Sequence, residues 1–192
     1  MTTSTLAYEY GTGWVEAFAL PTDQDFLFGL LEDVFSNHWS HIVFGSLIQG
    51  AVFEIRVAEP PRHISVFDGY LTVDFGPWHF HVCIGPHQGS PKQPVTADLA
   101  AHRRTARAEF YRILNSDRQS ARSWGLRLFN GNDDQQISIF FPNPFLSEDG
   151  NKVLKVPDWS RLSMWDSFRQ RYLGLAPDPI DRSGKAFRCG GH

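Results

Sequence analysis

The sequence predicts an α+β fold, a single domain over residues 1–192 with a mainly antiparallel sheet and two to three helices packed on it. Three observations predict this class. Short strand-like runs follow one another in the middle of the chain, separated by Gly, Pro and Asp, as in antiparallel hairpins. Segments with helical periodicity precede and follow these runs. The regular alternation of strand and helix that a doubly wound parallel sheet requires is missing.

The first elements are a strand and a helix. Residues 1–12 predict a loosely ordered polar leader, and residues 14–20 predict a strand. Thr22 or Asp23 provides an N-cap for a helix over about 24–35. The apolar stripe of that helix comprises Phe26, Leu27, Leu30, Leu31 and Val34.

Four strand-like runs come next. They cover about residues 42–47, 51–57, 63–67 and 70–84. Gly76-Pro77 interrupts the last run, which therefore predicts either two strands or one strand with a bulge. A turn-rich loop over residues 86–94 follows.

The second half predicts two helices and a hairpin. Thr96 caps a helix over about 97–114, and residues 124–129 and 136–141 form a hairpin around Asn130-Gly131. A last helix begins near Asp158 and stops at Gly174. Its apolar positions are Leu162, Trp165, Phe168 and Tyr172, and the tail over 176–192 predicts loose order.

Composition excludes several classes of protein. A formal net charge of −3 argues against general nucleic-acid binding. Two cysteines cannot form a disulfide framework and fit a reducing cytoplasm, and neither a secretory signal nor a membrane span is evident. The sequence contains no Gly-x-Ser-x-Gly motif of common serine hydrolases and no phosphate-binding loop of nucleotide-binding proteins. It also lacks the pair of Cys-x-x-Cys motifs that is typical of zinc ribbons. We therefore expect a cytoplasmic protein that acts on a small molecule, with its oligomeric state left open.

The most informative stretch lies at residues 78–87, Trp-His-Phe-His-Val-Cys-Ile-Gly-Pro-His. Large apolar residues alternate with His79, His81 and Cys83, which is the period of two of a β-strand. One face is apolar, as a core face should be. The other carries two imidazoles and a thiol instead of the usual surface residues.

This pattern predicts a metal site. Side chains at i and i+2 are separated by about 6.6 Å along a strand, so His79 and His81, or His81 and Cys83, can share one ion. Imidazole ligands favour zinc, with iron as the alternative. A third ligand is needed, and His87 after the Gly85-Pro86 turn is the first candidate. The other candidates are Glu54, His63 and Asp74.

Three further roles belong to the same hypothesis. Glu54 or Asp74 is the candidate general base. Arg127 is the candidate anchor for an acidic substrate group, because a guanidinium binds carboxylates bidentately. Cys83 with His81 as its base is a further candidate nucleophile.

Several segments carry a resemblance to a known family. They are Trp124-Gly-Leu-Arg-Leu-Phe-Asn-Gly, Phe140-Phe-Pro-Asn-Pro-Phe-Leu and Pro157-Asp-Trp-Ser-Arg-Leu, together with the His-x-His-x-Cys strand. With these segments the chain after Gly69 resembles a bacterial family of unassigned function. The resemblance implies no activity.

The sequence thus predicts a metal-dependent enzyme, a zinc-assisted hydrolase acting on an apolar or aromatic small molecule. The first alternative is a haem or tetrapyrrole-binding protein that uses the same His/Cys strand, with the aromatic excess lining a flat pocket. The second is a non-haem iron oxidoreductase, which needs two histidines and a carboxylate. Most of the aromatic residues, which include sixteen Phe and six Trp, are expected to fill the core rather than to line a ligand pocket.

Overall fold

The computed structural model of the chain describes residues 4–48, 50–179 and 182. It has the predicted α+β fold, with mostly antiparallel strands. The strands are β1 Ser4–Glu9, β2 Gly13–Leu20, β3 Val43–Gly45, β4 Leu47–Ile48, β5 Ala51–Val52, β6 His63–Phe67, β7 Tyr70–Asp74, β8 His79–Cys83, β9 Gly89–Ser90, β10 Gln93–Pro94, β11 Arg107–Leu114, β12 Ala121–Phe129 and β13 Gln135–Phe140. The helices are α1 Gln24–Asn37, α2 Ala97–Arg103 and α3 Ser163–Leu173, with a 3-10 turn at Trp159–Leu162 before α3.

These strands form a six-stranded sheet in the order β1-β2-β11-β12-β13-β3, a three-stranded sheet in the order β6-β7-β8, and two small hairpins. By its internal contacts the chain divides into two compact units. The first comprises Met1–Ala19, Glu109–Leu126 and Phe140–His192, and the second comprises Leu20–Ala108 and Arg127–Ile139. Within the described residues, every helix is too short or too polar to cross a membrane.

The first unit is built around the aromatic side chains of α3. Trp165 and Phe168 are fully buried, and both rings pack against Phe110 and Phe141. Gly174 adopts a left-handed conformation with φ 65° and ends α3, as the sequence predicts.

A buried ion network lies beside the same helix. The carboxylate of Asp178, whose side chain is completely buried, accepts hydrogen bonds from Arg112 Nη1 and Trp165 Nε1, each at 2.6 Å. Arg112 Nε also donates to Glu16 Oε2 at 2.6 Å. The segment after α3 is therefore tied to its own unit by charge-assisted hydrogen bonds.

The second unit packs α1 against the inner face of the three-stranded sheet. Asp23 caps α1 through a hydrogen bond from Phe26 N–H, and α1 buries the predicted stripe except Phe26. Its Phe35 ring meets Phe44 and Phe80 at centroid distances of 5.0 and 5.3 Å. The apolar face of β8 therefore packs against this aromatic cluster.

Two predictions of the sequence analysis are wrong. Residues 4–9 are not a loose leader but strand β1, which pairs with β2 over six residues. The helix expected over 97–114 ends at Arg103, and Arg107–Leu114 is strand β11. Most of β11 is buried between β2 and β12, so it lacks the apolar–polar alternation by which a half-exposed strand is recognised.

One further run differs in detail from the prediction, and another takes one of the two forms that the sequence predicts. The run over 51–57 forms only the short β5 and an isolated bridge between Phe44 and Ile55. The run over 70–84 forms two strands separated by a turn at Gly76. In the tail, Asp178 is buried rather than loose, and residues 180, 181 and 183–192 lie outside the described part of the chain.

Candidate functional site

The three-stranded sheet presents its polar residues on one outer face. Directly opposite residues of neighbouring strands share a face, and the register pairs Asp74 with His79, Thr72 with His81 and Tyr70 with Cys83. The β6 partners continue the same rows. They are His63 opposite Asp74, Ser65 opposite Thr72 and Phe67 opposite Tyr70. The inner face carries the apolar residues that pack against α1.

The two imidazoles of β8 lie side by side on this outer face. His79 and His81 are both exposed, and their ring centroids are 4.9 Å apart in an edge-to-face arrangement. Thr72 Oγ1 lies 2.8 Å from His81 Nδ1, and this hydrogen bond orients the His81 ring. His81 Nε2 is therefore the nitrogen left to face a ligand.

Asp74 stands across from His79, where the sequence analysis needed a carboxylate. Its Oδ1 accepts the Gly76 N–H at 2.6 Å, so the turn after β7 fixes one oxygen of the side chain. In the described residues no three His, Cys, Asp or Glu side chains are gathered into a group that could hold a metal ion. The structure thus places two imidazoles together and a carboxylate beside them, without a complete ligand shell.

His87, the first candidate for a third ligand, has other partners. His87 Nδ1 lies 2.9 Å from Asp68 Oδ2, and its Nε2 lies 3.3 Å from Arg103 Nη1. The ring also packs edge-to-face on Tyr70 with centroids 4.8 Å apart. His87 therefore belongs to the Tyr70–Cys83 row, two residues along the strand from His81.

The hairpin turn at Asp68-Gly69 explains this placement. Both residues have positive φ, 45° and 76°, and a Cβ on Gly69 would lie 2.3 Å from the Pro86 carbonyl oxygen. Only glycine lets the chain after β8 approach so closely. Asp68 then receives the Gln88 and Gly89 N–H groups, and the first of these hydrogen bonds is the main cause that lowers the pKa of Asp68.

The junction between α2 and β11 brings Arg103 to the same row. Thr105 donates to the Cys83 carbonyl oxygen through both its N–H and its hydroxyl, at 2.8 and 3.0 Å. Gln136 Nε2 donates to the Arg103 carbonyl oxygen at 2.9 Å. This backbone anchoring places the last turn of α2 beside the end of β8.

Cys83 is buried and only 3% exposed, unlike the two histidines of its strand face. Burial raises the pKa of the Cys83 thiol, and the hydrogen bonds from its surroundings do not offset this. The thiol is therefore protonated at neutral pH. This environment is the opposite of one that activates a cysteine nucleophile, which needs a lowered pKa.

Thiol labelling tests this environment. In a Cys189→Ser background we expect Cys83 to react with a thiol reagent far more slowly in the folded protein than in denaturant, even at pH 8.5, because the folded thiol retains its proton. Labelling at the same rate in both states would contradict the buried, protonated thiol.

Glu54 and Arg127 are not brought to the imidazole face. Glu54 is exposed in the segment after β5, outside the three strands β6, β7 and β8. Arg127 is 6% exposed, and its guanidinium lies 5.2 Å from the Phe129 ring centroid. A buried, engaged Arg127 is poorly placed to meet a substrate.

Sequence reasoning missed Asp68, Tyr70 and Arg103. Asp68-Gly69 has the composition of a turn, and a turn Asp followed by a Gly also carries a carboxylate that can reach a neighbouring loop. Arg103 falls inside the helix that the sequence predicts over about 97–114. Because the helix instead ends at Arg103, this residue lies beside the end of β8 and not in the middle of a long helix.

The aromatic residues mainly fill the cores of the two units. The fully buried ones include Phe35 and Phe44 in the second unit, and Phe110, Trp124, Trp165 and Phe168 in the first. On the outer face of the three-stranded sheet, Phe67 is 82% exposed beside the half-buried Tyr70. These two rings are the apolar part of the candidate site.

A family model described as a family of unknown function (DUF7676) matches residues 4–174. Since this match covers most of the chain, the protein belongs to that family. The resemblance to a family of unassigned function is thereby confirmed. No curated protein matches the chain.

Proposed function

We propose that the outer face of the three-stranded sheet binds a divalent transition-metal ion, zinc first, through His79 and His81. The observation that carries this proposal is the exposed pair of imidazoles with ring centroids 4.9 Å apart on one strand face. Two imidazoles at i and i+2 converge on one ion, and nitrogen ligands favour zinc, iron or copper over magnesium or calcium.

The reaction that we propose for this site is the hydrolysis of an apolar or aromatic small molecule. A zinc ion bound there would lower the pKa of a bound water and supply a nucleophile near neutral pH. Asp74, opposite His79 in the register, is positioned to accept the proton. The exposed Phe67 and the half-buried Tyr70 provide an apolar surface on the same face.

A second candidate follows from the position of Asp74. Two histidines and one carboxylate on a single face are the ligand set of non-haem iron oxygenases. In that case Asp74 would be a ligand rather than a base. The two functions differ in the metal found in protein purified without added metal, and in oxygen consumption by ferrous-loaded protein.

Metal titration of untagged protein tests the proposal. We expect chelator-treated protein to bind one zinc ion per chain in calorimetry, and His79→Ala/His81→Ala to lose this binding. All variants carry Cys189→Ser and His192→Ala, because a thiol and an imidazole in the tail are also potential ligands.

The matched control is His38→Ala/His41→Ala, which removes two imidazoles from a different surface. It should bind zinc as well as the parent protein. If His79→Ala/His81→Ala binds zinc with unchanged stoichiometry and affinity, or if the parent protein binds none, the proposal is wrong.

A further inference from the structure

A second cluster lies on the same outer face, one row along β8 from the imidazole pair. It consists of Asp68, Tyr70, Cys83, His87 and Arg103, and we call it the Arg103 cluster. Arg103 Nη1 contacts His87 Nε2 at 3.3 Å, and Arg103 also interacts electrostatically with Tyr70 and Cys83, which stand opposite each other in the register.

The tautomer of His87 follows from its partners. Asp68 is a carboxylate and only accepts, so the Nδ1 that lies 2.9 Å from it carries the hydrogen. His87 Nε2 then offers a lone pair to Arg103, which can only donate. Because His87 meets Arg103 as an acceptor that carries no negative charge, it orients the guanidinium without cancelling its charge.

Some arginines of the described residues have carboxylate partners, which neutralise their charge. Arg107 pairs with Asp133 at 2.6 Å, and Arg112 pairs with Glu16 and Asp178. Within the described residues Arg103 forms no ion pair, and its side chain is exposed. An oriented and uncompensated guanidinium can receive a carboxylate or phosphate in bidentate geometry.

We propose that Arg103 is the receptor for the anionic group of a small molecule whose remaining part lies over the imidazole pair. The placement of the rest of the molecule over the imidazole pair rests on the proposed metal function. The anion site itself rests only on the contacts of Arg103. Along the strand, Cys83 is about 7 Å from His81 and about 13 Å from His79. A molecule that extends from the Arg103 cluster to the imidazole pair therefore has a length of about this size. Arg103 thus takes the role that the sequence analysis gave to Arg127.

Probe binding to metal-free protein tests the anion site. Benzoate and phenylphosphate are the anionic probes, and benzamide is the neutral control of nearly the same shape as benzoate. In chelator we expect benzoate or phenylphosphate to bind and to perturb the NMR signals of Tyr70 and His87, whereas benzamide should bind at least about tenfold more weakly. Whichever of the two anions binds more tightly indicates whether the natural ligand carries a carboxylate or a phosphate.

Variants assign the site to Arg103. Arg103→Gln should weaken the binding of the favoured probe by about tenfold or more. Arg103→Lys keeps the charge but not the planar guanidinium, so its affinity should lie between those of the parent protein and Arg103→Gln. The exposed Arg56→Gln removes an equal charge elsewhere in the same unit and should leave binding unchanged. Thermal melts identify any variant that fails to fold. If Arg103→Gln does not fold, the probe affinity of Arg103→Lys decides whether Arg103 forms the site.

Benzamide binding as tightly as the anions, or Arg103→Gln and Arg103→Lys both binding like the parent, would overturn the proposal. Because chelator is present throughout, these outcomes are independent of zinc. Loss of the metal function alone leaves Arg103-dependent benzoate binding intact, and loss of the anion site alone leaves zinc binding at His79 and His81 intact.

Discussion

Replacement of Phe80 by Ala is expected to lower the free energy of unfolding by about 3 kcal/mol, the lower end of the range for a truncated core phenylalanine because the ring is half-buried. The ring packs against Phe35 of α1 at 5.3 Å and against Phe44 at 5.4 Å. Its removal leaves a cavity in an aromatic cluster that the surrounding strands cannot fill by relaxation. Urea unfolding followed by circular dichroism measures the loss.

His79→Ala is the matched control on the neighbouring position of the same strand. His79 is exposed on the outer face, so its removal should change the free energy of unfolding by no more than about 0.5 kcal/mol in chelator. With zinc present, the parent protein should gain stability that the variant does not. A chelator-treated His79→Ala variant as unstable as Phe80→Ala would show that the imidazole supports the fold.

Asp178→Ala is expected to have the larger effect, a loss of about 3–5 kcal/mol, because it breaks a buried ion network by removing one partner. The variant leaves the Trp165 indole N–H without the acceptor that lies 2.6 Å away. It also leaves the half-buried Arg112 guanidinium with less negative charge around it. Urea unfolding followed by circular dichroism measures this effect.

Asp178→Asn separates the two contributions. The amide oxygen can still accept from Trp165, so the cost should be smaller than for Asp178→Ala, while the charge opposite Arg112 is lost. A loss below about 1 kcal/mol for Asp178→Ala would mean that the segment after α3 is not held by this network.

Much of the fold could be predicted because local signals and packing agree. In α1 the cap Asp23 and the apolar stripe both specify a helix, and in α3 the stripe and Gly174 do the same. The strand face of His79 and His81 was likewise predictable, since the period of two is a property of the backbone. The strand β11 was not predictable, because it is largely buried and its residues carry no alternating pattern.

For the candidate site, the sequence by itself determined the identity of the strand and the outward direction of its two imidazoles. Only the tertiary structure decided which residues lie across from them, because cross-strand neighbours depend on register and not on distance along the chain. Register placed Asp74 opposite His79. The turn at Asp68-Gly69 and the end of α2 then drew His87 and Arg103 together beside Cys83.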